Sequence, residues 1–289
     1  MYASGVFSVG KNVVDFGNVW NITRPYIPKK VFPLIVFFYR TCMRIRCWYV
    51  GLWDQRHIKK TGFDRLPPAS LRYRVHGSPG VAGFLRVGKR CSQDIEAGLM
   101  KIGRDPGSFQ HVLDFGCGCG RTLIWFANRS HASRFYGTDI DAEAISWCRS
   151  NLDFARCRVN KPLPPLEDPP ETFDLIFAIT VFTQLNEEYQ FRWLGELKRV
   201  AKPKGILLLT VHGEHCWQDL DCEVAARVER DGFLFKTSNT MQGIFPQWYQ
   251  TAYHTRDYIF NRYAEYFTIL DYIPRGLNNH QDIVTLQKA

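Results

Sequence analysis

Residues 113–122 read Leu-Asp-Phe-Gly-Cys-Gly-Cys-Gly-Arg-Thr, "LDFGCGCGRT". An apolar run, "HVLDF" at 111–115, leads into it, and a helical pattern over 120–130 follows. The order is therefore strand, glycine loop, helix. Glycines at such a place let a ligand reach the backbone where a Cβ would block it. The helix start offers N–H groups with no intrahelical partner. A dinucleotide loop, G-x-G-x-x-G, would need its third glycine at Arg121, whereas the glycines stand at 116, 118 and 120. Cys117 and Cys119 fill the positions between them. No C-x-x-C occurs among the nine cysteines, and no Cys/His group has zinc-finger spacing. Both loop cysteines are read as spacers, and no metal is expected.

Outward from the loop, apolar runs alternate with helical patterns. "RFYGTD" (134–139), "FDLIFAITVF" (173–182) and "GILLLTVH" (205–212) read as strands. Residues 81–103, 142–152 and 187–201 read as helices. This alternation predicts an α/β fold with right-handed crossovers and a parallel sheet. Residues 217–231 read as an inserted helix, 244–255 as a ring-rich loop or strand, and 256–266 as a helix. "FTILDYI" and "QDIVTLQK" close the chain as an antiparallel pair.

Asp114-x-Gly116-x-Gly118-x-Gly120 resembles motif I of the class I S-adenosylmethionine-dependent methyltransferases, D/E-x-G-x-G-x-G. Asp139 ends the next strand, and its carboxylate can accept two hydrogen bonds from a ribose diol. The resemblance also covers "FD" entering an apolar strand at 173, "LKRVAKPKGILLLT", and the closing "HQDIVTLQK". It spans about residues 66–289 and is nearest to bacterial members with a "SVFTHL"-like loop. It implies a Rossmann-like, doubly wound, seven-stranded sheet, mostly parallel with a C-terminal antiparallel strand. It implies S-adenosyl-L-methionine as cofactor. Asp114, Gly116, Cys117, Gly118 and Gly120 would wrap its amino-acid end, Asp139 its ribose, Ile140 and Asn160 its adenine, and Thr180 would face it from the fourth-strand exit. Asp141 competes with Asp139 but is read as the N-cap of the next helix. Lys204 stands where such chains usually have a glycine.

Methyl transfer from a sulfonium needs alignment and exclusion of water more than a fixed base. Gln184 sits where similar chains carry a histidine, and it can hydrogen-bond an acceptor. His212, at a strand end, is the general-base candidate, against the alternative of a structural histidine. His254 either faces the pocket or belongs to the start of the late helix. His215 and Cys216 follow His212 too loosely to suggest a metal. Phe245, Trp248, Tyr249 and Tyr253 line an acceptor pocket or pack the core.

The net charge is +9. Residues 1–108 hold 18 Lys+Arg against 6 Asp+Glu, and residues 109–289 hold 19 against 22. The basic excess thus belongs to the N-terminal third. Residues 1–65 are expected to form a basic, aromatic arm, with 66–80 as a turn-rich linker into the catalytic domain. Within the arm, residues 29–60 mix apolar rings with arginines and carry too short an uncharged run to span a bilayer. That composition suits an anionic membrane surface. The expected partners are a small-molecule or glycan acceptor and that surface, with a nucleic acid disfavoured because the fourth-strand exit lacks an N/D-P-P-Y/F signature. The absence of a secretory leader pattern and the unpaired cysteines predict a cytoplasmic protein, peripheral to the inner membrane face.

Overall fold

The structure, a computed structural model, describes residues 6–7, 14–15, 31–129, 133–237 and 250–289. The segment 1–28 lies almost wholly outside these, as do Phe245, Trp248 and Tyr249. The chain divides into two units, one containing residues 31–84, the other the described parts of 85–236 with 250–289.

In the first unit, α1 (Phe32–Ile58) and α2 (Ala69–His76) pack together. Turn signals on both sides, Pro67-Pro68 and Ser78-Pro79-Gly80, hide α2 in the sequence, and residues 66–80 are accordingly read as a linker; the structure corrects this. The reason is Arg72, fully buried. Its guanidinium donates to both Asp54 oxygens at 2.6 and 2.8 Å, to the Pro67 carbonyl at 2.5 Å and to the Pro79 carbonyl at 2.7 Å. One planar, permanently charged side chain thereby satisfies the turns on both sides of α2. Val36 and Met43 are buried on the same side of α1. Its other face exposes Leu34, Phe37, Phe38, Ile45, Trp48 and Leu52, which 3.6-residue periodicity places on one side of the helix.

The second unit contains the later part of α3 (Val81–Lys101) and a seven-stranded sheet. In chain order its strands are β1 (His111–Phe115), β2 (Arg134–Asp139), β3 (Ala155–Val159), β4 (Phe173–Ala178), β5 (Ala201–Val211), β8 (Thr268–Leu277) and β9 (Gln281–Gln287). Two short strands, β6 (Phe233–Lys236) and β7 (Thr251–His254), form a separate antiparallel pair. Across the sheet the order is β8-β9-β5-β4-β1-β2-β3. The five strands β1 to β5 pair in parallel with their sheet neighbours, and β9 runs antiparallel to both β5 and β8. This is the doubly wound sheet that the alternation and the resemblance lead one to expect. Strand order reverses at β1, flanked by β2 and β4, and ligands of such sheets bind outside the carboxyl ends of the strands at that point.

The crossovers include α4 (Ala142–Asn151) and α5 (Glu187–Val200). Asp141 caps α4 by accepting from the Glu143 and Ala144 N–H groups, and Asn186 caps α5 through the Tyr189 N–H. Residues 123–129 form a 3₁₀ segment, not the α-helix read over 120–130. The insert comprises two helices, α6 (Glu214–Trp217) and α7 (Cys222–Asp231), followed by α8 (Arg256–Arg262) after β7. Central strands are apolar on both faces: Leu207, Leu208 and Leu209 are consecutive and fully buried.

Candidate functional site

The site begins where β1 ends. Gly116, Gly118 and Gly120 have φ of 82°, 53° and 77°. The Gly116 and Cys117 N–H groups both donate to the Thr138 carbonyl, at 2.8 and 3.0 Å. The loop is thus tied to β2 as it leaves the sheet. From the end of β2, Asp139 reaches back. One of its oxygens accepts the Gly118 N–H at 2.8 Å and the other accepts the Asp141 N–H at 2.8 Å. A carboxylate has about four acceptor directions, so each oxygen keeps capacity for a ribose hydroxyl. Burial raises the Asp139 pKa, while the two backbone donors hold it down.

Asp114 is buried, and its Oδ2 has no hydrogen-bond partner among the described residues. Burial pushes its carboxyl well above the ordinary carboxylate range. An orphaned buried oxygen beside a glycine cradle fits a site for a cationic or donor-rich ligand end. Asn160 gives its backbone N–H to the Asp139 carbonyl at 3.0 Å, its amide nitrogen donates to the Lys161 carbonyl, and its Oδ1 is a second buried acceptor without a partner among the described residues. An adenine amino group is a donor of the kind that atom lacks. Ile140 is half-buried beside Asp139. These residues, from β1, β2 and the end of β3, converge on one strand-end region and fit S-adenosylmethionine.

The loop thiols point away from that role. Cys117 and Cys119 are buried, and Cys117 Sγ and Cys148 Sγ each lie 3.6 Å from the Gly118 carbonyl. A Cβ added to Gly137 would stand 2.9 Å from Cys117 Sγ and 3.2 Å from Cys157 Sγ. The sulfurs fill the space under the loop. Cys117→Ala with Cys119→Ala should therefore keep cofactor affinity within about threefold and lose about 1–2 kcal/mol of stability. Calorimetry and a urea titration check both halves.

At the fourth-strand exit, Thr180 has φ of 65°, its N–H donates to Thr210 Oγ1 at 2.8 Å, and its hydroxyl lies 3.3 Å from Gln281 Oε1. Gln184 is half-buried in the turn that follows, where its N–H donates to the Val181 carbonyl at 2.9 Å. His254 is fully buried: its Nε2 lies 3.0 Å from Gln190 Oε1, which also accepts from the Tyr263 hydroxyl at 2.5 Å. Gln190 in turn donates to the Phe182 and Leu185 carbonyls. The structure places His254 in a buried network that holds α5 to β7, with its Nδ1 left without a hydrogen bond among the described residues and no exposed surface for an acceptor.

His212 is half-buried at the end of β5, its Nδ1 3.2 Å from the Ala252 carbonyl and its ring 5.7 Å from that of Tyr253. Burial, with the His280 ring adding, pushes its pKa down to about 3. It is neutral at neutral pH and a poor proton acceptor there. Sequence spacing does not reveal its neighbour His280, which stands 64 residues beyond Cys216. The closing "HQD" supplied the only signal: Gln281 meets Thr180, while Asp282 accepts from the Tyr272 hydroxyl at 2.5 Å and the Arg275 N–H at 2.7 Å.

Comparison with known proteins agrees with this geometry. Residues 112–205 match the family described as methyltransferase domain. A probable methyltransferase, ltbC, of Aspergillus luteorubrus is 31% identical over 34% of this chain and 38% of its own. The tRNA N(3)-cytidine methyltransferase METTL2 of Danio rerio is 27% identical over 36% of this chain and 32% of its own. The chain thus spans about a third of the length of these relatives. Among solved structures, the 1,6-didemethyltoxoflavin-N1-methyltransferase of Burkholderia thailandensis has a TM-score of 0.50 at 16% identity, over 75% of this chain and 84% of its own. That likeness defines the fold. Residues 112–205, the stretch similar to that methyltransferase domain, contain the glycine loop and the Asp139 strand end.

Proposed function

We propose that the chain transfers a methyl group from S-adenosylmethionine to a small-molecule or glycan acceptor. The observation that carries this reading is the cradle of positive-φ glycines, with Asp139 bridging Gly118 and Asp141 while retaining acceptor capacity. When bound, the cofactor supplies an activated methyl on a sulfur that leaves neutral. The residues supply orientation: Asp114 and the loop hold the amino-acid end, Asp139 the ribose, and Asn160 the adenine edge. The acceptor must then be aligned about 3 Å from the methyl with water excluded. Gln184 can orient it by hydrogen bonding. His212 is too weakly basic to be assigned the proton, which favours an acceptor that needs little deprotonation.

The acceptor class rests on charge. Residues 109–289 carry 19 Lys+Arg and 22 Asp+Glu, without the cationic excess that phosphate-backbone binding exploits. The deciding experiment incubates the purified chain with methyl-deuterated S-adenosylmethionine and an extract of the source cells. Mass spectrometry should find a small product gaining one labelled methyl. Label appearing in RNA, or nowhere although the cofactor binds, overturns the reading.

The membrane part of the reading rests on α1. Its exposed Leu34, Phe37, Phe38, Trp48 and Leu52 form an apolar stripe, with exposed Arg40 and Arg44 along one margin. Among the described residues no helix is long and apolar enough to cross a membrane. A peripheral location at an anionic cytoplasmic surface is the corresponding proposal. The full chain should float with vesicles containing anionic phospholipid, and Phe37→Glu with Trp48→Glu should leave it in the pellet fraction while cofactor affinity is unchanged. Equal flotation of both proteins would remove this role from α1.

A further inference from the structure

We propose that His212, Cys216 and His280 form a zinc(II) site with three protein ligands and a fourth coordination position open to water or an exogenous ligand. One donor atom from each residue lies within 4.8 Å of the other two. Cys216 Sγ is 3.8 Å from His280 Nε2 and 3.9 Å from its Nδ1. Zinc bonds of about 2.3 Å to sulfur and about 2.0–2.1 Å to nitrogen put tetrahedral neighbours roughly 3.3–3.6 Å apart. Small side-chain rotations close the difference.

The donors come from separated segments that the backbone already holds together. Val211 and Asp282 are paired across β5 and β9, so His212 and His280 emerge at the same sheet edge. The His212 carbonyl accepts the His254 N–H at 2.9 Å, fixing the strand end. The Cys216 N–H donates to the Gly213 carbonyl at 2.9 Å, turning the chain so that Cys216 faces back. A Cβ on Gly213 would stand 1.7 Å from Asp282 Oδ2, so glycine is what lets this turn lie against β9. The Ala252 carbonyl can only accept, so His212 Nδ1 carries the proton and Nε2 keeps its lone pair. A backbone carbonyl that fixes the tautomer in this way is the usual companion of a metal-bound histidine. Two imidazoles and one thiolate suit zinc and not magnesium or calcium, which prefer oxygen. All three residues are half-buried, which leaves a path for the ion.

The full chain, stripped with a chelator and dialysed against micromolar zinc, should retain one zinc per chain by elemental analysis. Cobalt(II) alone should give a thiolate charge-transfer band and the intense visible bands of a tetrahedral site. Cys216→Ser should lose the charge-transfer band, and His280→Ala should lose stoichiometric metal. Cys222→Ser, at an exposed cysteine, should change neither. S-adenosylmethionine binding reports that each variant is folded, independently of any product. A native chain that retains no zinc, or a charge-transfer band that survives Cys216→Ser, overturns the site without touching the methyl-transfer reading. Should Cys216→Ser fail to bind the cofactor, Cys216→Ala and His280→Gln carry the same comparison.

Discussion

Asp139→Ala is expected to weaken S-adenosylmethionine binding roughly hundredfold to ten-thousandfold. The side chain has two duties. It accepts the Gly118 and Asp141 N–H groups at 2.8 Å each, and in the proposed site its remaining lone pairs would accept from the ribose diol. Hydrogen bonds to a charged group are worth about 1.5–3 kcal/mol each, and two of them at the ribose account for the range. Alanine also strands the Gly118 N–H, which loosens the loop before any ligand arrives. Asp139→Asn separates the duties, because it keeps the shape and one acceptor oxygen; a loss of about tenfold to a hundredfold is expected. Burial holds the Asp139 pKa above its ordinary value. As pH falls through that raised pKa the carboxylate gains a proton and loses acceptor capacity. Native affinity should therefore decline at a higher pH than an exposed aspartate would give, and the Asn variant should lose this component. Asp114, whose pKa burial also raises, can add an acid limb of its own; Asp114→Asn distinguishes the two. Calorimetry across pH measures all of this, and an Asp139→Ala protein that binds within about threefold of native would end the ribose assignment.

What the sequence made legible is what lies close together along the chain. The loop, β1 and β2 fall within 29 residues, and β2 runs over the residues read as a strand, 134–139. Both the acid and the glycines are set by local backbone needs. The third strand was opaque for a physical reason. "ARCRV" alternates charged and apolar residues because β3 is the sheet edge, where one face is wet. α2 was hidden because it is eight residues long between two sets of turn signals, and the buried Arg72 contacts that tie its flanking turns to Asp54 leave no local mark in the sequence. His254 admits both a pocket reading and a helix-start reading because a histidine before a helix gives no hint of burial. Its partner Gln190 is 64 residues away. His212 and Cys216 suggested no metal because the third donor arrives only when β9 is laid beside β5.

Gly116→Val is expected to eliminate detectable cofactor binding, a loss of at least about a hundredfold. Three costs fall on one residue. At φ of 82° a β-branched side chain pays left-handed strain of about 1–2 kcal/mol. Its Cβ would stand 2.2 Å from Val181 Cγ2, well inside contact distance. The loop cannot slide away cheaply, because the Gly116 and Cys117 N–H groups share the Thr138 carbonyl, and each such bond is worth about 0.5–1.5 kcal/mol. Relief must therefore come from Val181, in the turn after β4, or from the loop's hold on β2. Gly116→Ala combined with Val181→Ala isolates the terms. It removes the Val181 contact and leaves the backbone strain, so it should bind more tightly than Gly116→Ala alone and less tightly than native. Thermal unfolding should rank the same way: native, double variant, Gly116→Ala, Gly116→Val. Native-like affinity in Gly116→Val would mean that the loop backbone does not approach the cofactor. A double variant no better than Gly116→Ala would assign the whole effect to φ. In either case the measurement fixes which property of Gly116, its conformation or its missing side chain, the site depends on.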